Sequence, residues 1–460
     1  MSGRPILTAA ETRAAEEAVF ARGVSVFELM TRAGRAVADV AWDRFGPLET
    51  LVLCGPGNNG GDGYVIASRL RERGVRVRVA ASGPPGTDAA REARAGWGGP
   101  VEALAEAAPA PLLIDALFGT GLSRSLSPEI AGPAQRLMAA ARHRVAVDLP
   151  SGLATDDGAV LTGLPAAHLT VAPGVLKRSH RLMPAAALCG EVVVAEIGLD
   201  PPVGTDVPHE IARPRLPAPD FESHKYNRGK VLVVAGAMPG ATLLAAMAAQ
   251  RAGAGYVELL GNAGEAPPHA LVRRAWDDAG LKDERIGAIV IGPGLGTDAE
   301  VERRLRLAMD TGKPLLLDAD ALNLLARRGT KRIDVPAVLT PHAGEFARLF
   351  GEVEGSALDK AREGARRIGA VVLLKGACTV VAHPDGRAAI GAPAPAWLAS
   401  AGTGDVLAGI LGTLLAQTGD PFAAATGAVW LHGEAARRAG PALIADDVIA
   451  HLPGALEACL

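Results

Sequence analysis

Three short runs in the first half of the chain carry side chains able to do chemistry. Gly55-Pro56-Gly57-Asn58-Asn59-Gly60-Gly61-Asp62-Gly63 sets two amides and a carboxyl in a glycine-rich loop, Asp115 closes the apolar run Leu112-Leu113-Ile114, and Asp148 closes Val145-Ala146-Val147. Glycines let a backbone approach a ligand closely, and a helix start after such a loop offers unpaired N–H groups and a positive dipole end, so a phosphate is the natural guest. A lone glycine loop is more often only a tight turn, and either Asp alone is more often a cap. Two Asn and an Asp in one loop shift that balance, because a plain turn does not need three polar side chains that tolerate unusual backbone angles. Small or turn-forming residues follow both acids, in Gly119-Thr120-Gly121-Leu122-Ser123 and Pro150-Ser151-Gly152. Together they predict one cleft with chemistry.

The second half has a different set. Ala401-Gly402-Thr403-Gly404-Asp405 precedes an apolar helix, where glycine amides form an anion hole and Asp405 stands beside the anion. That arrangement suits phosphoryl transfer: amides hold the phosphate while a carboxylate takes the proton of the attacking hydroxyl. Asp405 alone reads equally well as a complement to the helix dipole. Its company is Thr340-Pro341-His342-Ala343-Gly344-Glu345, Lys375-Gly376-Ala377-Cys378-Thr379, Ile291-Gly292-Pro293-Gly294-Leu295-Gly296 and the acids Asp318 and Asp320, which are caps or neighbours of a magnesium site. Cys378 is expected as a small buried apolar group rather than a reactive thiol.

These runs need elements that bring them to one rim. Apolar stretches at residues 51–54, 75–80, 112–115, 145–148 and 192–195 alternate with helical patterns at 26–42 and 64–73, and Thr8-Ala9-Ala10-Glu11 is a capping box opening an earlier helix. Strands alternating with helices imply a parallel, doubly wound sheet whose ligands bind beyond the strands' C-terminal ends. The second half repeats the style, with strands at 231–234, 288–291, 315–318, 337–339 and 371–374, helices at 243–251, 299–308, 321–326 and 345–350, and three apolar helices to close. Six prolines crowd residues 201–219, and proline fixes φ and removes a donor, so an extended connector is expected there. The predicted division is a Rossmann-like domain at 1–205, a proline-rich linker at 206–221 and a second α/β domain at 222–460.

Composition excludes several functions. Hydrophobic residues make up 49% of the 460, enough for buried cores, and a net charge of -3 gives no electrostatic case for nucleic acid or an anionic membrane. Aromatics at 3% are too few for a stacking platform. Residues 231–249 carry no charge, but Gly236 to Gly240 interrupts them, so a strand, loop and helix are expected rather than a membrane span. Four scattered cysteines fit a reducing compartment, and a cytoplasmic protein follows.

The motifs now carry a resemblance. Asn58 to Gly63, Asp115-Ala116-Leu117-Phe118-Gly119-Thr120-Gly121 and Asp148-Leu149-Pro150-Ser151-Gly152 resemble the NAD(P)HX epimerase domain, over about residues 5–200. That family interconverts the R and S forms of NAD(P)H hydrated at carbon 6 of the nicotinamide ring. The resemblance implies that Asn59, Asp115 and Ser151 hold a potassium ion. It places Asn58, Asn59, Gly60, Gly61 and Asp62, together with Gly119, Thr120, Gly121, Leu122, Ser123, Arg124 and Ser125, against the substrate, and makes Asp148 the acid/base. The segment from Val171 to Lys177 departs from the family's more polar or aromatic pattern, and Lys177 receives no role.

Residues 222–456 resemble the ADP- or ATP-dependent NAD(P)HX dehydratase, whose fold is similar to ribokinase, beginning at His224-Lys225, with Tyr226 where the family commonly has glycine. This implies that Ala241, Gly294, Gly296, His342 and Asp405 face the hydrate, and that Lys375, Gly376, Ala377, Cys378, Thr379 and Gly404 face the adenine nucleotide. The domain order is similar to the bacterial fused repair enzyme. The implied activity is epimerisation by the first half and ADP-dependent dehydration by the second, with Mg2+ accompanying ADP, NAD(P)HX and ADP as small-molecule partners, and a homo-oligomer. A ribokinase-like vitamin kinase with a non-catalytic dinucleotide-binding first half is the alternative.

Overall fold

A computed structural model describes residues 3–460 except 203, 263, 265–267 and 330. The chain divides into two compact units, one of Arg4–Val207 and one built from Pro208–Leu460.

In the first unit, seven parallel strands run in the order Glu102–Ala103, Val77–Ala81, Thr50–Cys54, Leu112–Ala116, His143–Val147, Leu169–Pro173 and Glu191–Ala195. Thr50–Cys54 has its chain successors on both sides, so the strand order reverses beside it, and ligands of such sheets collect at that point. Every residue of Thr50–Cys54 and Leu112–Ala116 is buried, as strands covered on both faces require. The capping box at Thr8 is present: its hydroxyl accepts from the Glu11 N–H, and Glu11 reaches back to the Thr8 N–H. A separate two-strand ladder pairs Ile6–Leu7 with Leu176–Lys177.

One helix begins earlier than the sequence predicts. The run expected as a loop up to Gly63 is already helical from Asn58, in a helix Asn58–Glu72 capped by Gly57. Glycine propensity argues against that, but packing wins. A Cβ on Gly63 would lie 2.8 Å from both Ala116 Cβ and Cys54 Sγ, and one on Gly61 would lie 2.5 Å from Met30, so the helix sits closer than any larger residue permits. The strand Leu169–Pro173 was also not anticipated.

The second unit holds a ten-stranded sheet ordered His209–Glu210, Ala388–Ile390, Val380–Ala382, Val371–Leu374, Ala337–Leu339, Leu315–Leu317, Ile286–Ile291, Lys230–Val234, Tyr256–Leu260 and Val272–Arg274. It is parallel except where Val380–Ala382 pairs with both its neighbours. Lys230–Val234 is the point of reversal. The helices Pro239–Arg251, Thr403–Thr418, Pro421–Ala439 and Ala445–Glu457 pack around one large apolar core. The proline-rich stretch contributes to this unit, because His209–Glu210 is its edge strand and Ile211 is buried in its core. Among the described residues no helix is long and apolar enough to cross a membrane. The four cysteines are buried free thiols.

Candidate functional sites

In the first unit, a cavity of about 660 Å³ opens at the strand ends, lined by Glu16, Asn58, Asn59, Asp62, the loop from Leu117 to Arg124, Asp148 and Lys177. Asp148 follows its strand with φ 66, in the left-handed region that Asp tolerates better than most residues. Its Oδ2 accepts from the N–H and the hydroxyl of Thr120, both at 2.7 Å, and its Oδ1 meets Lys177 Nζ at 2.5 Å. Lys177 is 2% exposed, and its ammonium also donates to the Val175 carbonyl. Burial alone would push the Asp148 carboxyl up. The charge of Lys177 and the hydrogen bonds from Lys177 and Thr120 outweigh burial and hold Asp148 below the ordinary carboxylate range.

The other acids on the cavity behave oppositely. Burial, then the charges of Asp148 and Glu16, push the Asp62 carboxyl well up. Glu16 is raised by burial and by Asp148. The cavity therefore holds one carboxyl that is held low among acids that are pushed up.

The expected residues divide. Gly119 through Arg124 line the cavity with Asn58, Asn59, Asp62 and Asp148. Gly119 sits so close to the site that a Cβ there would lie 2.6 Å from Asp148 Oδ2 and 2.9 Å from Asn59 Oδ1. Gly60 and Gly61 are buried in the helix, and the Ser125 hydroxyl turns away to the Leu161 carbonyl. Asp115 and Ser151 lie off the cavity lining: Asp115 accepts from the Ser151 hydroxyl at 2.7 Å and its N–H at 2.8 Å. Asn58 Oδ1 accepts from Thr87, while Asn59 Nδ2 is buried without a hydrogen-bond partner. Lys177 and Glu16 were missed in the sequence. A lysine ending an apolar run was the available signal for the first; Glu16 gave none, being one of several acids on its helix.

In the second unit, the helix Thr403–Thr418 starts at Gly402, whose φ of 87 favours glycine, and Asp405 lies in its first turn. Burial and the nearby charge of Asp318, opposed by Lys375, push the Asp405 carboxyl up to about 6. Lys375 Nζ pairs with Asp318 Oδ1 at 2.7 Å and faces Gly404, where a Cβ would lie 3.7 Å from it. The Lys375 N–H donates to the Pro341 carbonyl, so the loop of Lys375 to Thr379 runs beside that of His342. His342 is occupied as a helix cap: its Nδ1 accepts from the N–H groups of Gly344 and Glu345, at 3.0 and 3.3 Å. Asp320 accepts from the N–H of the loop residue Gly296 at 2.8 Å and Asp318 pairs with Lys375, so neither side chain caps a helix. Gly294 abuts Ala241, where a Cβ on Gly294 would lie 3.0 Å from that of Ala241. Gly376 and Ala377 are exposed and Cys378 is buried. His432, unmarked in the sequence, lies close to Thr403 and Lys375 with its Nε2 unpartnered, and burial lowers it to about 4.

Comparisons with known proteins agree with this division. Residues 231–450 match the family described as NAD(P)H-hydrate dehydratase, and residues 26–179 match the YjeF-related protein N-terminus. The bifunctional NAD(P)H-hydrate repair enzyme Nnr of Salinibacter ruber is 38% identical over 525 residues, covering 98% of this chain and 95% of that protein. Its Escherichia coli counterpart is 37% identical, covering 92% and 87%. Among solved structures, the ADP/ATP-dependent NAD(P)H-hydrate dehydratase of Bacillus subtilis co-crystallised with ATP/Mg2+ is 34% identical, with a TM-score of 0.48, covering 54% of this chain and 95% of that one. With identity sustained across nearly the whole length of both proteins, the chain belongs to the bifunctional NAD(P)H-hydrate repair enzyme family.

Proposed function

We propose that the chain repairs hydrated NAD(P)H in two steps: residues 1–205 interconvert the R and S hydrates, and residues 222–460, with the preceding stretch whose His209–Glu210 strand and Ile211 belong to the same unit, dehydrate the S form with ADP. The observation that carries this reading is the Asp148 carboxylate, held by Lys177 and Thr120 on the wall of a cavity at the sheet's point of reversal.

Carbon 6 of the hydrate bears a hydroxyl and the ring nitrogen. A proton delivered to that hydroxyl lets the C6–O bond break as the nitrogen lone pair forms a C=N+ bond, and water leaves. Water returning to the other face surrenders a proton, and the hydrate is restored with inverted configuration. Asp148 handles both transfers: it gives its proton as water leaves and is left as the carboxylate that takes the proton of the returning water, a carboxylate stabilised by the ammonium of Lys177 2.5 Å away. Asn58, Asn59 and Asp62, with Gly119 to Arg124, hold the substrate.

Potassium fits the residues beneath the cavity. Asp115, Ser151 and Asn59 would offer it side-chain oxygens, the hard donors that such a cation takes. When bound, the ion supplies a fixed positive charge beside the buried Asp115. Magnesium would enter with the phosphates of ADP, as it commonly does.

In the second unit Asp405 takes the proton of the carbon 6 hydroxyl as its oxygen bonds to the β-phosphorus of ADP and AMP departs. The ring nitrogen then expels the phosphate, and loss of the carbon 5 proton restores the dihydronicotinamide. Lys375 to Thr379 with Gly404 hold the nucleotide, and Ala241, Gly294, Gly296 and His342 face the hydrate. A cytoplasmic homo-oligomer completes this reading.

Purified protein mixed with both epimers, ADP, Mg2+ and K+ is expected to restore all of the near-ultraviolet absorbance of reduced nicotinamide. Recovery that stalls with one epimer left would remove the epimerase, and no recovery would favour the vitamin kinase.

A further inference from the structure

The structure assigns His180 as the positioning residue that holds Asp148 and Lys177 in register as an ion pair; this assignment rests on the proposed epimerase reading of the first unit. His180 is fully buried in the single turn Arg178–His180 that follows the strand Leu176–Lys177. Its Nδ1 accepts from the Lys177 N–H at 2.9 Å, and its Nε2 lies 2.7 Å from the Asp148 carbonyl. One ring therefore bonds the main chains of both residues whose side chains form the ion pair.

The partners fix its chemistry. A backbone N–H can only donate and a carbonyl can only accept, so Nδ1 is bare and Nε2 carries the hydrogen. The ring is neutral, and burial with the charge of Lys177 agrees, pushing it down to about 3. Both nitrogens are engaged and the ring is not part of the cavity wall, so no proton passes through it. What it supplies is geometry. Asp148 occupies the left-handed region at φ 66, and a bond to its carbonyl holds the turn that aims its carboxylate at Lys177 and Thr120.

The charged groups around the pair are Lys177 and Arg181 on the histidine's own segment and Asp148 across from it, with Glu16 and Asp62 acting on the carboxylate from the rest of the cavity. His180→Asn keeps an acceptor near Lys177 but not the donor to Asp148; His180→Gln keeps a donor of similar reach but not the acceptor. In the full chain, each variant is expected to lower kcat of epimer exchange by about 10²-fold, the scale of a small misplacement of reacting groups, with KM nearly unchanged. The acid limb of the exchange pH profile is expected to move upward, because a carboxyl loosened from Lys177 returns toward its ordinary range. Dehydration of the S hydrate by the same molecules serves as the internal control and is expected to keep its wild-type rate.

Folded variants with wild-type kcat and an unmoved acid limb would overturn the assignment. Where neither variant folds, nitrogen-15 spectra of the wild-type ring decide: a neutral Nε2–H ring from pH 5 to 8 supports it, and a ring that titrates in that range, or carries its hydrogen on Nδ1, overturns it. Wild-type protein that exchanges no epimers at all would sink the epimerase reading itself, a result distinct from normal exchange that is indifferent to His180.

Discussion

The two acids at the centre of this molecule sit in similar places and opposite circumstances. Asp148 follows the parallel strand His143–Val147, and Asp405 lies close to Asp318 and Lys375, which follow the strands Leu315–Leu317 and Val371–Leu374. Asp148 is saturated with partners: a lysine on one oxygen, and a backbone N–H with a hydroxyl on the other. Asp405 lies within the influence of a lysine already paired to Asp318, and its carboxyl is pushed up to about 6. The difference teaches what each is ready for. A carboxylate held in place by a cation and two hydrogen bonds suits a reversible exchange that begins and ends in the same state. A carboxylate raised toward neutrality is a better base, and suits one proton taken from an alcohol as phosphate arrives.

The sharpest way to break this comparison is to neutralise each acid in turn. Asp405→Asn is expected to lower dehydration by about 10²–10⁴-fold, the usual contribution of a general base, while chromatography shows epimer exchange intact. Asp148→Asn is expected to do the reverse. Loss of both activities from either substitution would show that the acids do not serve separate sites.

A second large effect falls on stability. Lys177→Met removes the cation and leaves the Asp148 carboxylate buried and unpaired, which costs about 3–5 kcal/mol for pairs of this kind. Denaturant unfolding of the first unit is expected to show that loss. Adding Asp148→Asn is expected to recover part of it, because the stranded charge is then gone. Additive losses would mean that the ion pair is not the source of the low Asp148 pKa.

Much of this architecture was legible beforehand, for a physical reason. Strands buried on both faces read as unbroken apolar runs, so Leu51 to Cys54 and Val371 to Leu374 announce themselves, and residues at their ends mark the rim. Tyr256–Leu260 did not, because its buried Glu258 pairs with Lys230 at 2.7 Å and breaks the apolar pattern. Lys177 was equally opaque: its place depends on a two-residue strand that pairs with Ile6–Leu7, and no local pattern encodes a partner so distant. His180 and His432 gain their meaning only from neighbours brought by the fold. The early start of the helix at Asn58 was hidden by its glycines, which lower helix propensity while permitting the close packing that decides the matter.

The opposite shifts of the two acids predict opposite pH effects of smaller size. Asp148 is lowered in the folded chain, so the stability it contributes is present above its ordinary value of 3.8 and is lost as pH falls through the lower folded value. Asp405 is raised to about 6, so its contribution is complete below 3.8 and is lost as pH rises through about 6. Asp405→Asn is therefore expected to raise the unfolding midpoint of the second unit more at pH 8 than at pH 4. A gain independent of pH would place Asp405 in a more solvated setting than its surroundings indicate. Dehydration should also fall as pH drops below about 6, where the base becomes protonated.

The smallest expected effect tests how tightly the first site is built. Gly119 has no positive φ, so Gly119→Ala carries no backbone strain, and any consequence comes from the added methyl alone. That methyl would lie 2.6 Å from Asp148 Oδ2 and 2.9 Å from Asn59 Oδ1, closer than real Cβ contacts occur, so one of the two side chains must move. Asp148 is fastened at both oxygens, whereas Asn59 has a buried amide nitrogen with no partner, so Asn59 is the one expected to yield. If Asn59 helps to hold potassium, its displacement raises the potassium concentration needed for half-maximal exchange, by about 10-fold for a loss of about 1.4 kcal/mol of binding. The rate at saturating potassium should stay near that of the wild type, because the Asp148–Lys177 pair is undisturbed. A reduced rate that no amount of potassium restores would instead show that Asp148 had moved, and that the pair is held less firmly than the comparison with Asp405 requires.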